Sequence, residues 1–200
     1  MVTMKKLTIL AAALTLSASG ALAADDPAAA RVEAFDAQLT SVMKDGPTLG
    51  ANGRYRRLSP VVQDAFDLAL MTRFAVGPAW ASMSDADHQA LVRAFGRLTA
   101  ANYAHNFDRY DGERFEVSPT VQTRGPDKVV QSRLIPKDHA PVNLAYRMRQ
   151  SGGAWKIVDV YYDGVSQLTT RRSDFAQPVA AGGAKALLTH LEHASAKLLQ

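Results

Sequence analysis

The residues that could do chemistry are few and scattered. Ser166 sits in Gly164-Val165-Ser166-Gln167, which lacks the second glycine of a Gly-x-Ser-x-Gly nucleophile elbow. With no partner pair in recognisable context it reads as a turn serine after a strand. His190 and His193 are three residues apart and share a helical face. Two imidazoles can begin a metal site, but no third-ligand motif accompanies them, so they read as a solvated face. His88 follows a helix start and reads as exposed. Asp159 interrupts an apolar run between Val158 and Val160, and strict alternation puts it with Trp155, Ile157 and Tyr161. A half-buried acid there is either a general base or, more in keeping with its setting, a structural acid paired with Arg171 or Arg172. Gly50 to Gly53 and Gly182-Gly183 match neither phosphate-loop fingerprint. The chain has no cysteine, which removes disulfide staples and structural zinc modules from consideration. No catalytic group, metal or cofactor is expected.

Three kinds of segment must position whatever the chain does. Met1–Ala23 reads as an export leader. Lys5 and Lys6 form its basic end, Leu7 to Leu16 its apolar stretch, and Ala21-Leu22-Ala23 its small-x-small cleavage site. The apolar run is shorter than the roughly 20 residues a bilayer crossing needs. Removing it with its two lysines takes the formal charge from +4 to +2. That is too little to argue for a nucleic-acid partner. Residues 24–200 are then expected to form one exported, soluble domain. Its stability rests on packing alone, and its length leaves apolar surface to spare for a ligand.

From Pro27 to Asp108 the apolar spacing is helical. Asp26 can cap and Pro27 suits a first helical position, with Val32, Phe35, Leu39 and Val42 on one face. A turn-rich link over 45–53 is expected next. Two short helices follow, Tyr55 to Phe66 and Leu68 to Val76, and Gly77-Pro78 ends the second. Ser84 to Asp87 resembles a capping box opening a long helix with Leu91, Phe95, Leu98 and Phe107 on its apolar side. At Asp111-Gly112 the period changes from 3.6 to 2. Strands are expected near Arg114 to Val117 with Val121, at Lys128 to Ile135, at Pro141 to Arg149 and at Trp155 to Asp163, with Gly152-Gly153 as a hairpin turn. Helical period returns from about Leu168, broken near Gly182-Gly183. The connections are too short for parallel crossovers, so the class is α+β: a curved four-stranded antiparallel sheet packed against several helices.

The chain's apolar share, 47%, exceeds what an inventory of reactive groups would use. Phe74, Trp80, Leu91, Phe95, Leu98, Phe107, Leu144, Tyr146, Met148, Val158, Val160 and Tyr162 can all point to the helix–sheet interface. They either fill a core or line an apolar cavity, and periodicity alone does not separate the two. Arg54, Arg56, Arg57 and Arg73 either form a solvated basic face or draw an anionic group to the mouth of such a cavity.

Several stretches in order resemble the MlaC, or toluene-tolerance, family of periplasmic phospholipid-binding proteins. They are Phe66-Asp67 with Met71-Thr72-Arg73, then Gly77 and Trp80, then Phe95 to Tyr103, then Tyr110 and Gly112. The tail of the sheet adds Val142 to Tyr146, Trp155 to Val160, Gly164-Val165-Ser166, and Arg171 or Arg172 with Ser173-Asp174-Phe175. Met43 to Pro47, Gly53-Arg54-Tyr55 and Ala75 to Trp80 look most like its hopanoid-associated HpnM branch. There Val76-Gly77 stands where the family usually has Leu-Gly. The resemblance implies a fold enclosing an apolar cavity and a non-catalytic lipid shuttle. Its cargo would be a phospholipid or a hopanoid. Its partners would be an inner-membrane ABC transporter with a lipid-binding ring and an outer-membrane lipoprotein complex, contacted transiently. Two other classes stay open on the residues: a small-molecule isomerase of the α+β cone type with Asp159 as base, and a solid-cored adaptor.

Overall fold

The computed structural model describes residues 26–200. The leader expected over Met1–Ala23 lies outside them. The first helix, α1 (Pro27–Lys44), starts as its sequence dictates. Asp26 accepts from the Ala28 amide at 2.8 Å and Pro27 holds the first position, where its missing N–H costs nothing. The next helix, α2 (Gly46–Ala65), is longer than expected. The segment 45–53, expected as a link, is helical apart from Gly50 (φ 61°). Local composition there is turn-like, but tertiary packing overrides it. Gly46 lies so close to the backbone at Asp108 that an added Cβ would stand 2.1 Å from the Asp108 carbonyl oxygen. Arg54 donates from Nε to the Ala104 carbonyl at 2.7 Å and from Nη1 to the Gly46 carbonyl at 3.0 Å. It thus satisfies an acceptor in the last turn of the helix that ends at Asn106 while tying down the start of α2.

α3 (Leu68–Val76) is capped by Asp67. A 3₁₀ turn over Gly77–Ser82 leads to α4 (Asp85–Asn106). The expected capping box is formed: the Asp87 amide donates to Ser84 Oγ and the Ser84 amide to Asp87 Oδ2, both at 3.2 Å. His88, expected as exposed, instead stacks on Trp80 with ring centroids 3.9 Å apart and bonds to the Trp80 carbonyl at 2.8 Å.

The strands form an antiparallel meander in the order β1 (Arg114–Arg124), β2 (Asp127–Ile135), β3 (Val142–Ser151), β4 (Ala154–Tyr162) and β5 (Val165–Ser166). The expected four-stranded α+β sheet is present, with a two-residue fifth strand added at its edge. Gly152 (φ 57°) and Gly153 (φ 82°) make the β3–β4 turn with both residues in the left-handed region. Pro119 falls where β1 and β2 slip register, and β1 is an edge strand, so its missing donor breaks no ladder.

A bulge in β4 re-aims one residue. Arg147 pairs with Asp159 and Met148 with Ile157, so Val158 is the extra residue. Asp159 therefore faces opposite to Ile157, not with it as strict alternation implies. The Ile157 carbonyl accepts the Asp67 amide at 2.9 Å, which pins the α2–α3 junction to β4. α5 (Gln167–Leu198) closes the layer opposite the sheet, interrupted at Gly182-Gly183 as expected. The helices pack α1 on α2, α2 on α4, α4 on α5 and α3 on α5, and α1 also lies across the sheet. Among the described residues no helix is long and apolar enough to cross a membrane.

Candidate functional site

One face of α4 carries Phe95, Thr99, Asn102, Tyr103, Asn106 and Phe107 at helical spacing. Opposite it the sheet presents Leu134 of β2, Leu144 and Tyr146 of β3, and Val160 and Tyr162 of β4. Gln167, Leu168 and Arg171 from the first turns of α5 form a third wall, with Phe66 and Met71 at the inner end. These side chains surround a hollow of about 500 Å³. Its mouth is marked by exposure: Phe66 and Met71 are buried, whereas Asn106 is exposed and Tyr162 is 50% exposed.

The inner wall is rigid. Phe35 packs edge-on against Phe66 at 5.3 Å, Tyr103 at 5.2 Å and Tyr146 at 6.4 Å between centroids. Tyr103 stacks on Phe107, continuing the aromatic line towards the mouth. Rings locked this way leave their space unable to collapse onto itself. Behind Tyr146 lies Asp36, 3% exposed, which accepts from the Tyr146 hydroxyl at 3.0 Å and from Ser132 Oγ at 3.2 Å. Burial pushes its carboxyl up to about 7, against the opposing pull of the two hydroxyls. Burial, aided by the nearby Asp36, also holds the Tyr103 and Tyr146 phenols above their ordinary value. The site is therefore a mainly aromatic and aliphatic hollow, with an arc of neutral polar groups and one cation along α4 and α5.

The twelve residues expected at the helix–sheet interface divide three ways. Phe95, Phe107, Leu144, Tyr146, Val160 and Tyr162 line the hollow. Leu91, Leu98, Met148 and Val158 are buried in packed core away from it. Phe74 is 48% exposed on the outside of α3, beneath the Arg172 guanidinium, and Trp80 is committed to His88. The wall contributed by Phe66, Met71 and the polar stripe of α4 had a signal in the sequence. Thr99, Asn102 and Asn106 recur in register with Phe95, on the side of the helix that faces inward.

None of the four arginines considered for the mouth lines it. Arg54 is buried on backbone carbonyls, Arg57 pairs with Asp45 at 2.5 Å, and Arg56 and Arg73 are exposed elsewhere. The cation at the hollow is Arg171. Asp159 accepts from Ser166 Oγ at 2.7 Å and from the Leu168 amide at 3.0 Å, not from Arg171 or Arg172. It anchors the start of α5 and does not line the hollow. His190 and His193 are exposed, and no metal-holding cluster occurs among the described residues.

Comparison with known proteins gives a family match and matches of fold. The family model described as MlaC protein matches residues 33–193. A solved phospholipid-binding protein from Ralstonia solanacearum, determined in complex with a phospholipid, has a similar fold. The TM-score is 0.76 and the identity 22%, over 88% of this chain and all of that one.

Proposed function

The chain belongs to the MlaC family, and on that premise we propose that it is a non-catalytic lipid carrier. It works in the periplasm as one domain over residues 24–200, after removal of the leader. The cargo is a phospholipid or a hopanoid-type lipid. The route runs between an inner-membrane ABC transporter with its lipid-binding ring and an outer-membrane lipoprotein complex. The neighbour of similar fold, with its bound phospholipid, supports this reading.

The observation that carries it is the hollow itself. Its volume of about 500 Å³ is in the range of small-molecule sites, and its walls are mostly aromatic and aliphatic. Such a space needs no reactive group to be useful. Each methylene moved from water into it contributes roughly 0.8 kcal/mol, so a chain of about twelve gains on the order of 10 kcal/mol gross. That offsets the comparable cost of withdrawing the same methylenes from a bilayer, so exchange with a membrane is near balance. Ordering costs and the exposed mouth keep the hold reversible.

The test is denaturing extraction of the purified protein followed by lipid mass spectrometry, before and after incubation with vesicles. Bound lipid at a fixed molar ratio is the expected result. A Leu144→Arg or Val160→Arg variant, each placing a charge in the wall, should load at least about tenfold less. A folded wild-type protein that comes away empty and takes nothing from vesicles would sink the carrier reading.

A further inference from the structure

The two sides of the hollow differ in polarity. The sheet offers it Leu134, Leu144, Val160 and the rings of Tyr146 and Tyr162, whereas the opposite wall sets Thr99, Asn102, Asn106, Gln167 and Arg171 among Phe95, Tyr103, Phe107 and Leu168. A guest made only of hydrocarbon would leave those polar groups unmatched, and polar groups shut off from water without partners are costly.

The hydrogen bonds state what is left over. The Thr99 hydroxyl donates to the Phe95 carbonyl at 2.9 Å, and the Asn102 amide nitrogen donates to the Leu98 carbonyl at 2.8 Å. That leaves Thr99 Oγ1 as an acceptor, while Asn102 keeps its carbonyl oxygen and a second amide N–H for a guest. Arg171 is a donor of fixed positive charge. It is half-buried on the cavity side, and its only ion pair among the described residues is with Asp174, three residues on, at 3.3 Å. A partly exposed pair of that length holds the guanidinium weakly. Arg171 can turn from Asp174 to an anion at the mouth without giving up a strong bond.

Resting on the carrier reading above, the geometry points to selective capture of an acidic lipid. Arg171 binds the lipid's anionic group at the mouth. Asn102 and Thr99 accept from hydroxyls of the same polar end, and the hydrocarbon lies along the sheet towards Phe66 and Met71. The site thus reads the head of its cargo as well as its tail.

The test offers the protein vesicles of phosphatidylcholine and phosphatidylglycerol in equal amounts with identical chains. Phosphatidylglycerol carries an uncompensated phosphate and hydroxyls, whereas phosphatidylcholine offsets its phosphate with a quaternary ammonium and has no head hydroxyl. Wild-type protein should extract it with about three- to tenfold preference, the worth of one partly exposed charge-assisted contact. Arg171→Gln should extract both lipids in the vesicle ratio. Arg171→Lys should keep part of the preference, and Asp174→Asn, which frees the guanidinium, should keep or raise it. Circular dichroism melts establish that each variant is folded. Equal extraction by wild-type protein, or a preference that survives Arg171→Gln, overturns head recognition and leaves the carrier reading standing. No extraction of either lipid overturns both.

Discussion

The two ends of the sheet share one pattern and differ in everything built on it. At one end lie Met148, Ile157 and Val130, each fully buried. They are clamped by Asp127, which takes Arg147 and Arg149 at 2.5 Å, and by Lys128, which takes Asp26 at 2.5 Å. α1 crosses the sheet and seals this end. Along β3 the inward side chains then open step by step, from Met148 at 0% exposed through Tyr146 at 1% to Leu144 at 8%. On β4 the same progression runs from Ile157 at 0% to Tyr162 at 50%. Along β3 the strand alternates without a break from one end to the other. The difference is what stands opposite: α1 presses against one end, while α4 and α5 stand back from the other. A hollow arises where the facing layer is held away, not where the strand sequence changes.

Three measurements can break or sharpen that contrast. The largest effect concerns Asp36, at the boundary between the ends. Its carboxyl titrates near 7 in the folded protein against an ordinary 3.8. Between those values the unfolded chain gives up the proton while the folded protein keeps it. The contribution of Asp36 to stability should therefore be most favourable below about pH 4, fall as pH rises to about 7 and flatten beyond, by on the order of 4 kcal/mol at most. Asp36→Asn keeps an acceptor for Tyr146 and should erase that slope. Chemical denaturation across pH checks it, and an unchanged slope in the variant would assign the dependence to other groups.

Next in size is truncation of the two walls. Met148→Ala empties packed space and should cost about 3 kcal/mol, whereas Leu144→Ala widens an existing hollow and should cost less than about 1 kcal/mol. Lipid loading should respond in the reverse order. Equal losses of stability would mean that the open end is packed like the closed one.

The ionic clamp should matter less than the loss of Met148 from the closed end. Asp127→Asn leaves Arg147 and Arg149 half-exposed and short of their partner, at a cost of about 2 kcal/mol, with lipid loading unchanged. The hydrogen bonds from both arginines hold the Asp127 carboxyl below the usual carboxylate range, despite its burial. Its contribution is thus present above about pH 4 and fades in acid, opposite in sign to that of Asp36.

Much of the architecture was legible along the chain because it depends on neighbours in sequence. The change of period at Asp111-Gly112, the Ser84–Asp87 box, the Asp26-Pro27 start, the Gly152-Gly153 turn and the break at Gly182-Gly183 are each written in a few adjacent residues. The site was legible only in part. Phe95, Leu144, Tyr146 and Val160 have the right type and spacing to line a hollow, but so do Leu98 and Met148, which do not. The inward faces of Thr99, Asn102 and Asn106 were readable from their register with Phe95, yet polar residues on a helix suggest solvent until the opposite wall is known.

The sequence by itself determined where helices and strands run, that the class is α+β, and to which family the chain belongs. Each of these follows from local periodicity, capping chemistry or residue order. Tertiary structure alone decided that 45–53 is helical, that Arg54 serves backbone carbonyls, that the β4 bulge turns Asp159 to α5, and that one end of the sheet is hollow. These depend on the distance between layers far apart in the chain, and close packing sets that distance through the sum of all contacts rather than through any one segment.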